Sequence, residues 1–313
     1  MQTRQLGTQG PALTVIGFGC WAMGGAGWAG SWGPQDDAES IQSIHVALEH
    51  GINWFDTAAV YGLGHFEEVL GKALGNRRHD VVVATKIGTV WDEQGNLTDR
   101  ASYDSVIREC DASLRRLGSD YIDLYQQHWP DQQGTSVEET MRALGDLIQA
   151  GKVRYVGVSN YTVPLLEQAL AVRHVDSLQP PYNLFSRDVE NDLLPFCEDH
   201  GMGVVAYSPL HSGLLGGKYN QGTTFDDGDW RAHNPDFTGD GLRANLEKVD
   251  NLRAIADRFG KTVAQLAIAW ILSNSAVTAA IVGVRRPEHI TSILPAADWT
   301  LDEQTRQAIR QIL

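Results

Sequence analysis

The sequence predicts a closed (β/α)8 barrel, a TIM barrel built as one domain over residues 1–313. Three observations carry that expectation. Short β-branched runs alternate with amphipathic helical stretches along the chain, the runs number eight, and polar residues gather where the runs end. The runs are nearly continuous in apolar character, as a parallel strand covered on both faces requires.

The candidate strands lie at 15–19, 53–57, 81–86, 121–126, 154–159, 177–179, 203–207 and 279–283. Helical patterns fall between them, at 37–50, 102–117, 136–150, 163–172 and 263–273, with one more at 302–312. In the first helix Ile41, Ile44 and Leu48 share a face while Glu39, Gln42 and Glu49 point elsewhere. Gly51, Gly118, Gly151 and Gly201 each stand between a helical stretch and a strand, the place of a left-handed residue that ends a helix. Residues 4–6 and 12–13, around Thr8-Gln9-Gly10, predict a small hairpin closing the barrel floor. The stretch 219–241, rich in Gly, Asp and Asn, predicts a long loop or lid. No Pro- or Ser-rich linker divides the chain.

The choice between a barrel and an open doubly wound sheet rests on the strand ends. Asp56, Lys86, His128, Ser159 with Asn160, Gln179, Tyr207 with Ser208, and Arg285 all stand at carboxyl ends. A barrel brings those ends to one mouth, where such enzymes place their chemistry. An open sheet would string them along an edge with no reason for so many polar endings. Any one of them is equally well a helix cap or a loop residue. A lysine closing an apolar strand is different, because a buried ammonium without a carboxylate is costly, and Asp56 on the next strand supplies the partner.

Composition narrows the function. A formal charge of −14 and a pI near 5.1 argue against a nucleic-acid or anionic-membrane partner. No stretch approaches the ~20 apolar residues of a membrane span. The N-terminal Met1-Gln2-Thr3-Arg4-Gln5-Leu6-Gly7 lacks the apolar segment of a secretory leader. Cys20, Cys110 and Cys197 are far apart, which fits reduced thiols in a cytoplasmic protein. They and the ten histidines form no metal-ligand spacing, so no metal site is expected. The oligomeric state is left open.

Two glycine-rich segments mislead. Gly25-Ala26-Gly27-Trp28-Ala29-Gly30 spells G-x-G-x-x-G, but Trp21-Ala22-Met23 separate it from the strand and Gly33-Pro34 from the helix. A dinucleotide fingerprint needs both directly adjacent. Gly213-Leu214-Leu215-Gly216-Gly217-Lys218 lacks the spacing of a phosphate loop, and Tyr219 stands where Ser or Thr would bind magnesium.

The segment Gly51-Ile52-Asn53-Trp54-Phe55-Asp56-Thr57-Ala58, with Tyr61-Gly62 and Glu67-Glu68-Val69-Leu70-Gly71, resembles the aldo-keto reductase signature. The likeness continues at Lys86, at Tyr121-Ile122-Asp123-Leu124 leading to His128, and at Val156-Gly157-Val158-Ser159-Asn160. It resumes at Tyr207-Ser208-Pro209-Leu210 with Gly213-Leu214-Leu215, and at Ile281-Val282-Gly283-Val284-Arg285. This resemblance implies NADPH-dependent reduction of aldehydes or ketones to alcohols by hydride transfer, with a catalytic tetrad of Asp56, Tyr61, Lys86 and His128.

Tyr61 is then the proton donor. A free phenol, with a pKa of ~10, is reluctant near neutrality, and a nearby ammonium is expected to lower that pKa. Asp56 holds Lys86 charged. A neutral His128 orients the carbonyl, and histidine at this place, where relatives that reduce carbon–carbon double bonds carry glutamate, favours carbonyl reduction. Trp21, Trp54 and Trp129 form the expected aromatic wall of the substrate pocket. The resemblance also sets the nicotinamide against Tyr207 and near Trp21, its carboxamide held by Ser159, Asn160 and Gln179. Ser208, Pro209, Leu210, Gly213 and Leu214 wrap the pyrophosphate, and Arg285 meets the 2′-phosphate. Gly283 stands where relatives have lysine. His289 and Ile293 stand where many have Gln or Arg and then Asn. NADPH is the expected coenzyme, with NADH as the alternative.

Two other readings stand beside this one: a nicotinamide-binding, redox-sensing subunit with little turnover, and a cofactor-independent sugar-isomerase barrel using Asp56, Lys86 and His128 as acid–base groups. The substrate, a small-molecule carbonyl compound, is expected to be set by loops 23–34, 89–100 and 219–241. The chain ends at Leu313, soon after the last helical pattern, which predicts a shallow, permissive pocket.

Overall fold

The computed structural model describes residues 1–226 and 229–313. Strands β1 (Thr3–Gln5) and β2 (Ala12–Thr14) pair antiparallel beneath a barrel. The barrel strands are β3 (Ile16–Gly19), β4 (Trp54–Asp56) and β5 (Val82–Ile87), followed, after a small antiparallel hairpin of β6 (Thr89–Trp91) and β7 (Leu97–Asp99), by β8 (Ile122–Gln127). The circuit continues through β9 (Val153–Ser159), β10 (Ser177–Gln179), β11 (Gly203–Ala206) and β12 (Val277–Gly283), which pairs in parallel with β3 and closes the ring.

Helices cover the outside. Those at Asp37–Glu49, Tyr103–Leu117, Val137–Gln149, Val163–Val172, Val263–Leu272 and Glu303–Ile312 coincide with the helical patterns of the sequence. Their starts are chemically marked: Asp36, Ser136 and Asp302 accept backbone N–H groups of the first turn, and Thr262 forms a capping box with Gln265. Gly51, Gly118, Gly151 and Gly201 all take positive φ, between 59° and 80°. Helices at His65–Leu74, Leu193–Asp199, Gly239–Asp257 and Pro287–Ile293 were not among the ranges named from the sequence. The third opens on Gly239-Asp240-Gly241, which reads as loop by composition, so the expected 219–241 loop overruns its first turn. The same segment also holds short turns at Trp230–His233 and Pro235–Phe237, and Asp227 and Gly228 within it lie outside the described residues.

Side chains alternate across each strand, so the barrel interior is layered. The lower layer is apolar: Trp54, Ala84, Leu124, Val205, Ala279 and Ile281 pack with Leu6 and Leu13 from the floor hairpin. Two residues further along their strands stand Asp56, Lys86 and Gln126, joined by Gln179 from the end of β10, all buried. Arg4 ties the floor in place through the carbonyls of Val277 and Leu272, at 2.7 and 2.8 Å.

This layering corrects one expectation. Trp54 is fully buried in the lower layer, its indole donating to Thr14 O at 2.9 Å, and it does not line the mouth. Its ring fills the barrel so tightly that a Cβ on Gly17 would lie 2.1 Å from Cζ2. Two residues of strand put it roughly 6.6 Å below Asp56.

Candidate active site

The structure brings the four residues of the expected tetrad to one mouth. Lys86, 1% exposed, points its Nζ at three acceptors: Asp56 Oδ1 at 2.6 Å, Thr57 O at 2.9 Å and the Tyr61 hydroxyl at 3.3 Å. Asp56 closes β4 and Lys86 lies on the adjacent β5, so the register of two neighbouring strands makes the pair. Tyr61 sits in the turn before helix His65–Leu74. The His128 ring stands edge-on to Tyr61, 5.9 Å between centroids, and the His128 N–H donates to Ile87 O.

Burial would lower the Lys86 pKa, but Asp56 and then Tyr61 outweigh it, and the net shift is upward. Burial, helped by the Lys86 charge, drives His128 well below its usual range, so the imidazole is neutral. For Tyr61 the expectation is reversed. Burial pushes its pKa up to about 12, and the opposing pull of Lys86 does not overcome that.

A ring of buried amides completes Asp56. Gln179 Nε2 donates to Asp56 Oδ2 at 2.8 Å and lies 3.3 Å from Gln126 Oε1, while Gln126 Nε2 reaches Oδ2 at 3.4 Å. Gln126 was missed from sequence, although its place two residues before His128 on an inward-facing strand position was a readable signal.

The residues expected around a nicotinamide form a second network. The Tyr207 hydroxyl donates to Asn160 Oδ1 at 2.9 Å, and Asn160 Nδ2 donates to His128 O and Ser159 Oγ. Ser159 Oγ in turn donates to Gln179 O at 2.8 Å. Beyond Tyr207 the backbone turns left-handed at Ser208, His211 and Ser212, with φ of 55°, 44° and 51°, and at Gly213. Pro209 and Leu214 are buried, and Ser208, Leu210, His211, Ser212 and Gly213 are half-buried.

At the end of β12, Gly283 is exposed and His289 Nδ1 accepts the Arg285 N–H. Arg285 is already engaged: its guanidinium donates to Gln35 Oε1, Trp32 O and Pro34 O. Any phosphate there would compete with those three acceptors. Trp129, 42% exposed, stacks on His128, and Trp21 stands edge-on to Trp32. Trp28, which was not among the expected wall residues, packs against Tyr61 with 5.8 Å between ring centroids.

Among the described residues no helix is long and apolar enough to cross a membrane, and no group of three or more His, Cys, Asp or Glu is placed to hold a metal.

Comparison with known proteins agrees with this architecture. The profile of the aldo/keto reductase family matches residues 15–313. The aldo-keto reductase YhdN of Bacillus subtilis (strain 168) is 37% identical over 316 residues, covering 100% of this chain and 94% of that one. The NADH-specific methylglyoxal reductase of Escherichia coli (strain K12) is 33% identical over 325 residues, covering 100% and 98%. Among solved structures, the glycerol dehydrogenase AKR11B4 from Gluconobacter oxydans superposes with a TM-score of 0.92 at 37% identity, covering 99% of this chain and 94% of that one.

Proposed function

Because the chain belongs to the aldo/keto reductase family, and is thereby an oxidoreductase of carbonyl and alcohol groups using a nicotinamide coenzyme, we propose that it reduces aldehydes and ketones to alcohols, with Tyr61 as proton donor and NADPH as preferred coenzyme. The observation that carries this reading is the buried chain from Asp56 through the Lys86 ammonium to the Tyr61 hydroxyl at the barrel mouth.

A reduced nicotinamide, when bound, would supply a hydride to the carbonyl carbon. Negative charge then builds on the carbonyl oxygen, and the Tyr61 hydroxyl delivers the proton that completes the alcohol. The phenolate left behind is stabilised by Lys86, which Asp56 keeps charged, and solvent returns the proton. Burial raises the Tyr61 pKa to about 12, so the phenol is protonated at neutral pH and available as the acid of the reductive step. The neutral His128 has one N–H to direct at the carbonyl oxygen.

The residues present fit a nicotinamide coenzyme. Ser159, Asn160 and Gln179 offer amide and hydroxyl partners beside Tyr207. The costly left-handed run at Ser208, His211 and Ser212 is the kind of strain found at ligand clamps, here where Pro209, Leu210, Gly213 and Leu214 would wrap the pyrophosphate. Arg285 and Arg286 stand together beyond Gly283, a local positive region on an acidic chain, and support a preference for NADPH over NADH, while burial lowers the His289 pKa and leaves that side chain neutral. The name of the Escherichia coli relative keeps NADH as the competing coenzyme. Three buried free cysteines support a cytoplasmic location.

The test follows NADPH and NADH absorbance with 4-nitrobenzaldehyde, for the wild type and Tyr61→Phe. NADPH consumption that falls ~10²–10⁴-fold in the variant is expected for loss of the general acid. Equal rates with NADH would retire the coenzyme role of Arg285. A folded protein that binds coenzyme without turnover would instead be a redox-sensing subunit, and one that binds neither coenzyme an isomerase.

A further inference from the structure

The glycine run after β3 has no part in the coenzyme reading, and its G-x-G-x-x-G spacing leads from no strand into no helix. What the run surrounds is an indole. A Cβ on Gly30 would lie 2.5 Å from Trp28 Cζ3, and one on Gly24 would lie 2.8 Å from Trp28 Cζ2. The Trp28 N–H donates to Gly25 O at 3.0 Å, and Ser31 Oγ donates to the same carbonyl at 2.8 Å. The loop is wound about its own tryptophan, and the glycines are the absence of side chains that lets it do so.

The far end of the loop is fastened as well. Arg285 holds the carbonyls of Trp32 and Pro34, the Trp32 ring meets Trp21 edge-on at 5.8 Å, and the Arg231 guanidinium lies 4.2 Å over Trp32. Trp28 is therefore held, half-buried, with its ring tilted 40° to that of Tyr61. The same indole borders a crevice of about 530 Å³ lined also by Trp32, Gly95 and Asp229.

We propose that Trp28 is a specificity-determining residue: cradled by Gly24 and Gly30, its indole is the wall on which a planar, conjugated carbonyl substrate stacks beside Tyr61. The inference rests on the carbonyl-reduction reading. An indole face prefers a flat, electron-poor ring, and aromatic pairs gain in offset or tilted contact beyond the area they bury. A short aliphatic aldehyde offers no such face. The enzyme therefore selects aromatic and conjugated aldehydes over small aliphatic ones, and the selection resides in KM more than in kcat.

The test compares kcat and KM for 4-nitrobenzaldehyde and propanal in the wild type, Trp28→Ala and Gly30→Ala. Gly30 is not among the glycines of positive φ, and a Cβ there would press on the Trp28 indole and also lie 2.9 Å from Trp21 Nε1, so Gly30→Ala displaces the indole without deleting it and Trp28→Ala is the selective variant. Both variants are expected to lose about tenfold in kcat/KM for the aromatic substrate, mainly through KM, and less than about threefold for propanal. Equal losses for the two substrates would overturn the assignment. So would a gain for the aromatic one, which would make the indole an obstruction. If the wild type reduces neither aldehyde, the reductase reading falls and this inference with it. If it reduces both while the variants leave their ratio unchanged, only the role of Trp28 falls.

Discussion

Lys86→Met tests the energetics of the mouth most directly. Methionine fills much of the space of the lysine stem but removes an ammonium that makes contacts at 2.6, 2.9 and 3.3 Å. Asp56, only 3% exposed, is left with the Gln179 amide at 2.8 Å and the longer Gln126 contact as its side-chain donors. Breaking a buried pair in this way costs about 3–5 kcal/mol, because the surviving charge is uncompensated. Adding Asp56→Asn removes that charge while keeping an oxygen that Gln179 can donate to. The double variant should therefore regain at least about 2 kcal/mol of the loss, a non-additivity expected of groups in direct contact. Neither variant should reduce aldehydes at an appreciable rate, since no cation remains to hold the Tyr61 phenolate. Urea unfolding of the wild type and the two variants reads the stabilities, and NADPH consumption reads the activity. A single variant within about 1 kcal/mol of wild type would refute the argument, as would a double variant no more stable than the single.

Glu109 gives a pH prediction: it accepts from Gly88 N–H and Ser105 Oγ, and burial pushes its pKa from 4.5 up to about 7. The folded state then holds the proton more tightly, so the contribution is full below pH 4.5 and is lost as pH rises through about 7, roughly 3 kcal/mol in all. Glu109→Gln should abolish that slope, and identical pH dependence of unfolding in wild type and variant would disprove it. Trp54→Ala should cost about 3–5 kcal/mol as a core truncation and leave the aldehyde KM in place; a KM effect would return Trp54 to the pocket. Arg285→Ala should weaken NADPH binding about tenfold with little change for NADH. Equal weakening of both in a fluorescence titration would leave Arg285 only its clasp on Trp32 and Pro34.

Much of this was legible in the sequence because the signals were local. Each of the eight strands was read to within about two residues, since an apolar run ending in a polar residue is a property of neighbours along the chain. The meeting of Asp56 with Lys86 followed from adjacent strands ending in opposite charges. Trp54 was misplaced although the strand period was available: two residues before the inward Asp56 is also inward, but deeper. The Tyr61 pKa was misjudged for another reason, since the charge of Lys86 is written in the sequence whereas the burial that outweighs it is a property of the closed barrel. Trp28 was not singled out because the glycines that admit it were weighed only as a dinucleotide fingerprint and rejected, and only the folded loop shows what fills them. The helix at Gly239–Asp257 was hidden by glycines in its first turn.

Trp54 and the hairpin beneath it have a kinetic meaning. With the lower half of the barrel filled and its base tied shut by Arg4, the cavity is a vessel with one doorway. If coenzyme and substrate both enter by that doorway, whichever lies deeper is expected to arrive first and leave last. The plug that holds the barrel together would thus also impose an order of traffic on the reaction above it.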